Sequence, residues 1–143
     1  MAHKPRAFTF IELILVVIIL SVLTAVSLPR IKSAFLSFEL NNFSGRLETF
    51  IGYLCQRAAS EGQIIYLSFD NAGKEYRAQI KGSQEKAQAY KIPAGITVET
   101  EQKEIAFYPD ATTDKVDIII KNSLDKSITL TTKGVYSGVK AKN

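Results

Sequence analysis

An apolar run near the start of the chain, residues 8–28, limits what this sequence can fold into more than any other feature. It consists mainly of Leu, Ile, Val and Phe, and its one charged residue is Glu12. As a helix, the run would reach about 30 Å, roughly the thickness of the hydrocarbon core of a bilayer. Because it is too long and too apolar for a soluble domain of this size, it predicts a membrane span.

Two simpler interpretations compete with a functional one. The run would suit a removable secretory signal, since Lys4 and Arg6 precede it and Ala25-Val26-Ser27 loosely fits a cleavage site at its end. It would also suit a plain uncleaved anchor. Neither interpretation explains Glu12, because a carboxylate inside an apolar span costs free energy and needs a partner.

An amine would be a suitable partner for Glu12. A cut between Ala7 and Phe8 would give Phe8 a positively charged terminus four residues before Glu12. Positions four apart share one face of a helix, and in a helical stack of chains the carboxylate of one would meet the amine of the next. Each charge would then offset the desolvation cost of the other.

The segment that carries this pattern resembles the processing site of type IV pilin-like proteins: Lys4-Pro5-Arg6-Ala7, followed by Phe8-Thr9-Phe10-Ile11-Glu12-Leu13. The resemblance implies that a prepilin peptidase removes residues 1–7, that the new terminal Phe8 is N-methylated, and that Glu12 acts in assembly. It also implies a helix kink at Pro29, a position where proline is common in the family. Ala7 departs from the family pattern, which usually has Gly there; because alanine is also small, we expect slower processing.

The residues after the apolar run predict an α+β fold. Apolar side chains recur at spacings of three and four along one helix face, namely at Phe43, Leu47, Phe50, Ile51, Leu54 and Ala58. We therefore predict one long helix over residues 9–60, kinked near Pro29 and ended by Gly62, with Cys55 as a buried, inert thiol beside its apolar face.

Beyond Gly62 the apolar period changes to two, which predicts about seven short strands. Because their links are short, we expect antiparallel pairing. The predicted strands lie at residues 65–69, 76–80, 96–98, 105–107, 116–120, 128–130 and 135–136. The polar residues 81–89 predict a loop.

This order of elements predicts three segments: a cleaved basic leader (1–7), a transmembrane or fibre-core half of the helix (8–29), and a domain holding the second helix half and the strands (30–143). The residues 45–69, 92–96 and 105–110 resemble the minor pseudopilin H of type II secretion systems and the related FimT-type minor pilins. The resemblance implies a single-pass protein of the bacterial inner membrane with its β domain in the periplasm.

The implied partners are the prepilin peptidase, the inner-membrane secretion platform, and other major and minor pseudopilins in a helical stack that helps export folded proteins. Two alternatives remain. One is a FimT-like minor pilin of a type IV pilus, with a role in DNA uptake. The other is a signal-anchored β-domain that binds a ligand.

Composition argues against catalysis and against a bound metal. The 143 residues include one cysteine, Cys55, and one histidine, His3. Zinc sites built from Cys and His, and nucleophile systems that depend on a histidine, would need more of these residues in the body of the fold. The net charge of +4 is too small to favour a nucleic-acid partner. We therefore expect a structural protein with no enzyme activity and no cofactor.

Two polar features near the C-terminus have both a functional and a simpler interpretation. Three aspartates would suit calcium only in a denser carboxylate loop, so we interpret them as part of a solvated turn: Asp110, Asp114 and Asp117. Three lysines would contact nucleic-acid phosphates more strongly beside arginine, so we interpret them as a frayed tail: Lys133, Lys140 and Lys142.

Overall fold

The computed structural model describes residues 8–83, 87–132 and 140–142, without the side chains of residues 26–29 and 140–142. It has one long N-terminal helix, α1 (Phe10–Glu61), followed by strands. The strands are β1 (Ile65–Asp70), β2 (Glu75–Ile80), β3 (Gln88–Lys91), β4 (Ile96–Thr100), β5 (Glu104–Phe107), β6 (Asp117–Asn122), β7 (Ser127–Thr131) and β8 (Lys140–Lys142). The predicted α+β fold is confirmed.

Helix α1 ends as its sequence predicts. Gly62 has a φ of +64°, the left-handed conformation that only glycine adopts without a steric cost. The amide of Gln63 then donates to the carbonyl oxygen of Ala58 at 3.2 Å. This bond has the wider sequence span of the two that define a Schellman motif. It gives a partner to a helix carbonyl that would otherwise lack one.

The chain divides into two compact units, Met1–Phe35 and Leu36–Asn143. The first unit contains the N-terminal part of α1, whose side chains from Phe10 to Ala25 are all exposed. The second unit contains the rest of α1 and the strands.

The strands of the second unit form two four-stranded antiparallel sheets. The first sheet has the order β3-β2-β1-β5, and the second has the order β4-β6-β7-β8. The first hairpin has the predicted strands and turn, with Ile65 opposite Ile80 and Asp70 opposite Glu75. The chain crosses between the sheets after β3, β4 and β5, so strands joined by short links do not always pair.

Two parts of the predicted strand pattern are wrong. The loop predicted at residues 81–89 is too long, because Gln88 and Ala89 belong to β3 and pair with β2. The tail predicted to fray includes Lys140–Lys142, whose backbone pairs with β7 as strand β8. The strand predicted at residues 135–136, like Lys133, lies outside the described residues.

The core forms between α1 and the two sheets, as the helix periodicity predicts. Of the six residues on the predicted helix face, five are buried and Phe50 is half-buried. Cys55 is buried as expected, and desolvation raises the pKa of its thiol. The strands contribute the other large, fully buried side chains: Ile65, Leu67, Ile96, Val98, Ile105, Phe107, Ile118, Ile120 and Leu130.

Polar contacts attach the β6–β7 turn to Leu36 and Ser37, the first residues of α1 that belong to the second unit. The buried side chain of Asn122 donates from Nδ2 to the carbonyl oxygen of Leu36 at 3.3 Å, and its Oδ1 accepts from the amides of Leu124 and Lys126. Lys126 Nζ also donates to Ser37 Oγ at 3.0 Å. One buried amide therefore shapes the β6–β7 turn and holds that turn against the helix.

Candidate assembly site at the start of the helix

The N-terminus of α1 is stabilised by Thr9 and Glu12. Thr9 immediately precedes the helix, and its carbonyl oxygen accepts from the amides of Glu12 and Leu13 at 3.1 and 3.2 Å. The Thr9 hydroxyl contacts Glu12 Oε2 at 3.4 Å, a long hydrogen bond. A threonine at the N-cap with a glutamate three residues later is the sequence pattern of a capping box. The negative charge of Glu12 is also favourable at this positive end of the helix dipole.

Sequence reasoning missed the contribution of Thr9. The signal was present in the run Thr9-Phe10-Ile11-Glu12, which matches the capping-box spacing. Thr9 lies beside the Glu12 carboxylate, so it would help to orient this group rather than react itself.

Glu12 is exposed and forms no ion pair with any residue that the structure describes. Phe8 lies before the first helical residue and is 70% exposed. A carboxylate and an aromatic side chain therefore stand at the beginning of the helix, both accessible to another molecule.

The structure does not test the roles predicted for the other site residues, Ala7 and Pro29. Ala7 lies outside the described residues. Pro29 lies within α1, in the stretch 26–29 whose side chains are not described. Cleavage after Ala7, methylation of Phe8 and a kink at Pro29 stay predictions.

Two hydroxyl side chains in the apolar part of α1 form hydrogen bonds with the backbone of their own helix. Ser21 Oγ donates to the carbonyl oxygen of Val17 at 2.7 Å, and Thr24 Oγ1 donates to that of Leu20 at 2.9 Å. Hydroxyls bonded to the backbone of their own helix need no water. By length and composition, α1 is suited to crossing a membrane.

The three C-terminal aspartates bind separate protein donors. Asp110 Oδ1 accepts from the amide and hydroxyl of Thr112, at 3.0 and 2.6 Å, and these bonds lower the pKa of the Asp110 carboxyl. Asp117 Oδ1 accepts from the Thr131 hydroxyl at 2.6 Å. Asp114 accepts from the backbone amide of Ala106 at 3.0 Å. The three carboxylates therefore serve local turn and strand contacts.

Comparison with known proteins identifies the N-terminal segment. Residues 3–28 match the family model described as the prokaryotic N-terminal methylation motif. This match spans Phe8 and Glu12. A comparison with functionally curated proteins finds no match.

Two solved structures share the fold. One is the minor pseudopilin EpsH from the type 2 secretion system of Vibrio cholerae, with a TM-score of 0.58 and 11% identity, covering 73% of this chain and 96% of that one. The other is the type IV minor pilin FimU of Pseudomonas aeruginosa, with a TM-score of 0.58 and 13% identity, covering 78% of this chain and 91% of that one.

The chain therefore combines the N-terminal methylation motif with the fold of a minor pseudopilin and of a minor pilin. Both matched structures are structural pilin subunits. Glu12 and the neighbouring Thr9 lie within the segment that matches the methylation motif.

Proposed function

We propose that this pilin-like protein is a minor pseudopilin, a structural subunit of the type II secretion pseudopilus that helps export folded proteins across the outer membrane. One observation carries the proposal: an exposed carboxylate, Glu12, begins an entirely exposed apolar helix segment within a methylation motif. Burying one large apolar side chain contributes about 1.5–3 kcal/mol, so this segment favours lipid before assembly and neighbouring subunits after it.

In this proposal each residue of the N-terminal site has one role. Prepilin peptidase cuts between Ala7 and Phe8, and Phe8 becomes the N-methylated terminus. Glu12 pairs with the amine of Phe8 on the adjacent subunit, which sets the register of the stack. Pro29 bends the helix, the segment before it crosses the inner membrane once, and the domain after it lies in the periplasm.

The similarity to FimU supports a second candidate, a minor pilin of a type IV pilus. The two candidates differ in their neighbours and not in the chemistry at Glu12. Both predict a structural subunit rather than an enzyme.

Processing is the first test of the proposal. Mass spectrometry of the purified mature protein is expected to find N-methylated Phe8 at its start. Co-expression with a prepilin peptidase should cleave the Ala7→Gly variant at least as fast as the natural chain and leave Ala7→Leu uncut. A mature start near Leu28, an intact Met1, or equal cleavage of Ala7→Leu would contradict the proposed site.

The identity of the neighbours is the second test. The full chain, carrying a C-terminal tag, is crosslinked in its native cell, and its partners are identified by mass spectrometry. Pseudopilins and the secretion platform are expected, together with loss of exported proteins when the gene is deleted. Capture of pilus subunits, with loss of pili and intact secretion, would support the second candidate instead.

A further inference from the structure

The edge strand β4 of the second sheet is capped by side chains from the β1–β2 turn. Asn71 Nδ2 donates to the carbonyl oxygen of Val98 at 2.6 Å, and Asn71 Oδ1 accepts from the amide of Val98 at 3.0 Å. Lys74 Nζ donates to the carbonyl oxygen of Ile96 at 2.8 Å. These contacts occupy backbone groups with which another strand would otherwise pair.

The edge strand β5 of the first sheet is covered in a similar way by the segment that follows it. Asp114 Oδ2 accepts from the amide of Ala106 at 3.0 Å, and the amide of Asp114 donates to the carbonyl oxygen of Ala106 at 3.2 Å. Phe107 also forms a bridge with Thr113. This edge is therefore closed to another strand.

The other edge of the first sheet, β3, has no such cap among the residues that the structure describes. The amide of Ile92 donates to the carbonyl oxygen of Lys74 at 2.8 Å, so Ile92 faces β2. Because facing alternates along an antiparallel strand, the backbone groups of Ala89 and Lys91 point outward. Within residues 8–83, 87–132 and 140–142, no hydrogen bond reaches these outward groups.

A stripe of α1 runs beside this open edge, and we call the space between them the β3 trough. The stripe consists of Arg46, Phe50, Tyr53 and Arg57, at helical spacings that share one face. The Phe50 ring contacts the ring of Tyr90 in β3, with centroids 4.7 Å apart, and it also stacks on Tyr53 at 6.3 Å. Tyr53 is 51% exposed, so an aromatic surface borders the unpaired edge.

The trough has a positive charge at one end. There a hollow of about 200 Å³ is lined in part by Arg46, Lys91 and Glu39, two cations against one carboxylate. Neither Arg46 nor Lys91 forms an ion pair with a described residue. Arg57, toward the other end, pairs with Glu61 at 2.8 Å.

We propose that the β3 trough binds an extended, acidic-ended polypeptide segment of another protein, which adds as a fifth strand to the first sheet. Its backbone would pair with Ala89 and Lys91 about 4.8 Å from β3, and alternate side chains would lie on Phe50, Tyr53 and Tyr90. An acidic side chain at its end would meet Arg46 and Lys91. The proposal does not depend on which assembly the chain joins.

Two features favour a polypeptide over a nucleic acid. Donor and acceptor groups at alternate residues of β3 match the backbone of a second strand, whereas the phosphates of a nucleic-acid backbone are acceptors only. The aromatic rings already contact one another, and a strand crosses such a ridge without separating them. Single-stranded DNA, which binds aromatic and basic surfaces, is the competing occupant in the test.

The test uses the full-length protein in detergent and a fluorescein-labelled peptide, EDVTVFVTDE, followed by fluorescence anisotropy. Ala89→Pro removes an outward N–H that β2 does not need, so an edge strand should tolerate it. We expect Ala89→Pro to weaken peptide binding about tenfold or more, because the proline ring also blocks the approaching strand. Arg46→Glu should weaken it about tenfold through charge repulsion, whereas Lys115→Glu, a matched exposed change elsewhere, should leave it within about twofold.

Three results would overturn the proposal. They are equal binding by folded Ala89→Pro, equally tight binding of the lysine-ended peptide KKVTVFVTKK, and tighter binding of oligothymidylate that Arg46→Glu abolishes. Amide hydrogen exchange gives a second readout that does not require a variant. The peptide should slow exchange at Ala89 and Lys91; unchanged exchange at both positions under saturating peptide would place the peptide elsewhere.

Discussion

Glu12 makes a local contact and carries a charge with no ionic partner in the described part of its own chain. The local contact is the long hydrogen bond from the Thr9 hydroxyl at the start of α1. A glutamine at this position would keep an oxygen able to accept that bond and would lose only the charge. The two roles can therefore be separated by substitution.

We predict that Glu12→Gln and Glu12→Ala are both inserted and cleaved normally but enter assembled fibres poorly. Because both variants lose the charge that we propose sets the subunit register, crosslinking from the Phe8 region to an adjacent subunit should fall about tenfold in both. Glu48→Gln, in the second unit, is the matched control and should crosslink normally. Crosslinking at the natural level in both Glu12 variants would make Glu12 an incidental interfacial residue.

The sequence predicted the roles of residues that depend on local spacing. It did not predict the burial of residues at the border of the core. The helix face and Gly62 follow from short-range periodicity and turn chemistry. Phe50 has the same spacing as its buried neighbours, yet it is half-buried because it lies at the side of the sheet, against Tyr53 and Tyr90. Periodicity identifies a face but not where that face ends.

At the scale of single elements, the C-terminal cap of α1 predicts opposite effects on stability for two glycine-to-alanine substitutions. Gly62→Ala should destabilise the second unit by about 1 kcal/mol, since alanine is strained at a φ of +64°. Gly45→Ala is the matched control: this glycine lies inside the helix, and a Cβ added there would meet no other atom within 4 Å, so alanine should stabilise by about 0.5–1 kcal/mol. Urea denaturation followed by circular dichroism measures both; effects of the same sign would contradict the cap.

A second prediction concerns Asn71, which caps the edge of β4. Asn71→Ala removes both hydrogen bonds to Val98 and should lower the free energy of unfolding by about 1–3 kcal/mol. It should also increase self-association, because an uncapped edge can pair with another copy. Asn41→Ala, an exposed change on α1, should stay within about 0.5 kcal/mol. Denaturation and analytical ultracentrifugation together test this; an unchanged midpoint and an unchanged mass for Asn71→Ala would rule out the cap.

Strands that were missed share one physical property. In β3, the sequence Gln88-Ala89-Tyr90-Lys91 lacks the apolar alternation of a half-buried strand, and β8 consists of Lys140-Ala141-Lys142. Both lie at sheet edges. Edge strands are commonly polar, and these two depend on pairing with β2 and β7 rather than on burial of their own side chains.

For the whole molecule, we predict that residues 36–143 fold without the first unit. All buried core residues within the described chain lie between Leu40 and Leu130, so the core is complete in this fragment. The purified fragment should be a soluble monomer with mixed helix and strand signals and a single cooperative melting transition. A molten or insoluble product would show that the second unit needs the first.

The element order was predictable from the sequence, and the division into two sheets was not. Short links correctly indicated antiparallel pairing, but β5 pairs with β1 and β4 pairs with β6. These pairings join residues far apart in the chain, and they are selected by the fit of complete strands around α1. No local pattern carries that information.

Because Cys55 is buried, a label can be attached to an introduced cysteine without also reacting at Cys55. The thiol is the only one in the chain, and because burial raises its pKa, it stays protonated and shielded from maleimide reagents at neutral pH. A cysteine introduced at an exposed position such as Phe38 or Leu124 would therefore take a spin label or fluorophore alone. Distances between labelled copies of the purified protein would be measurable without first removing the native cysteine.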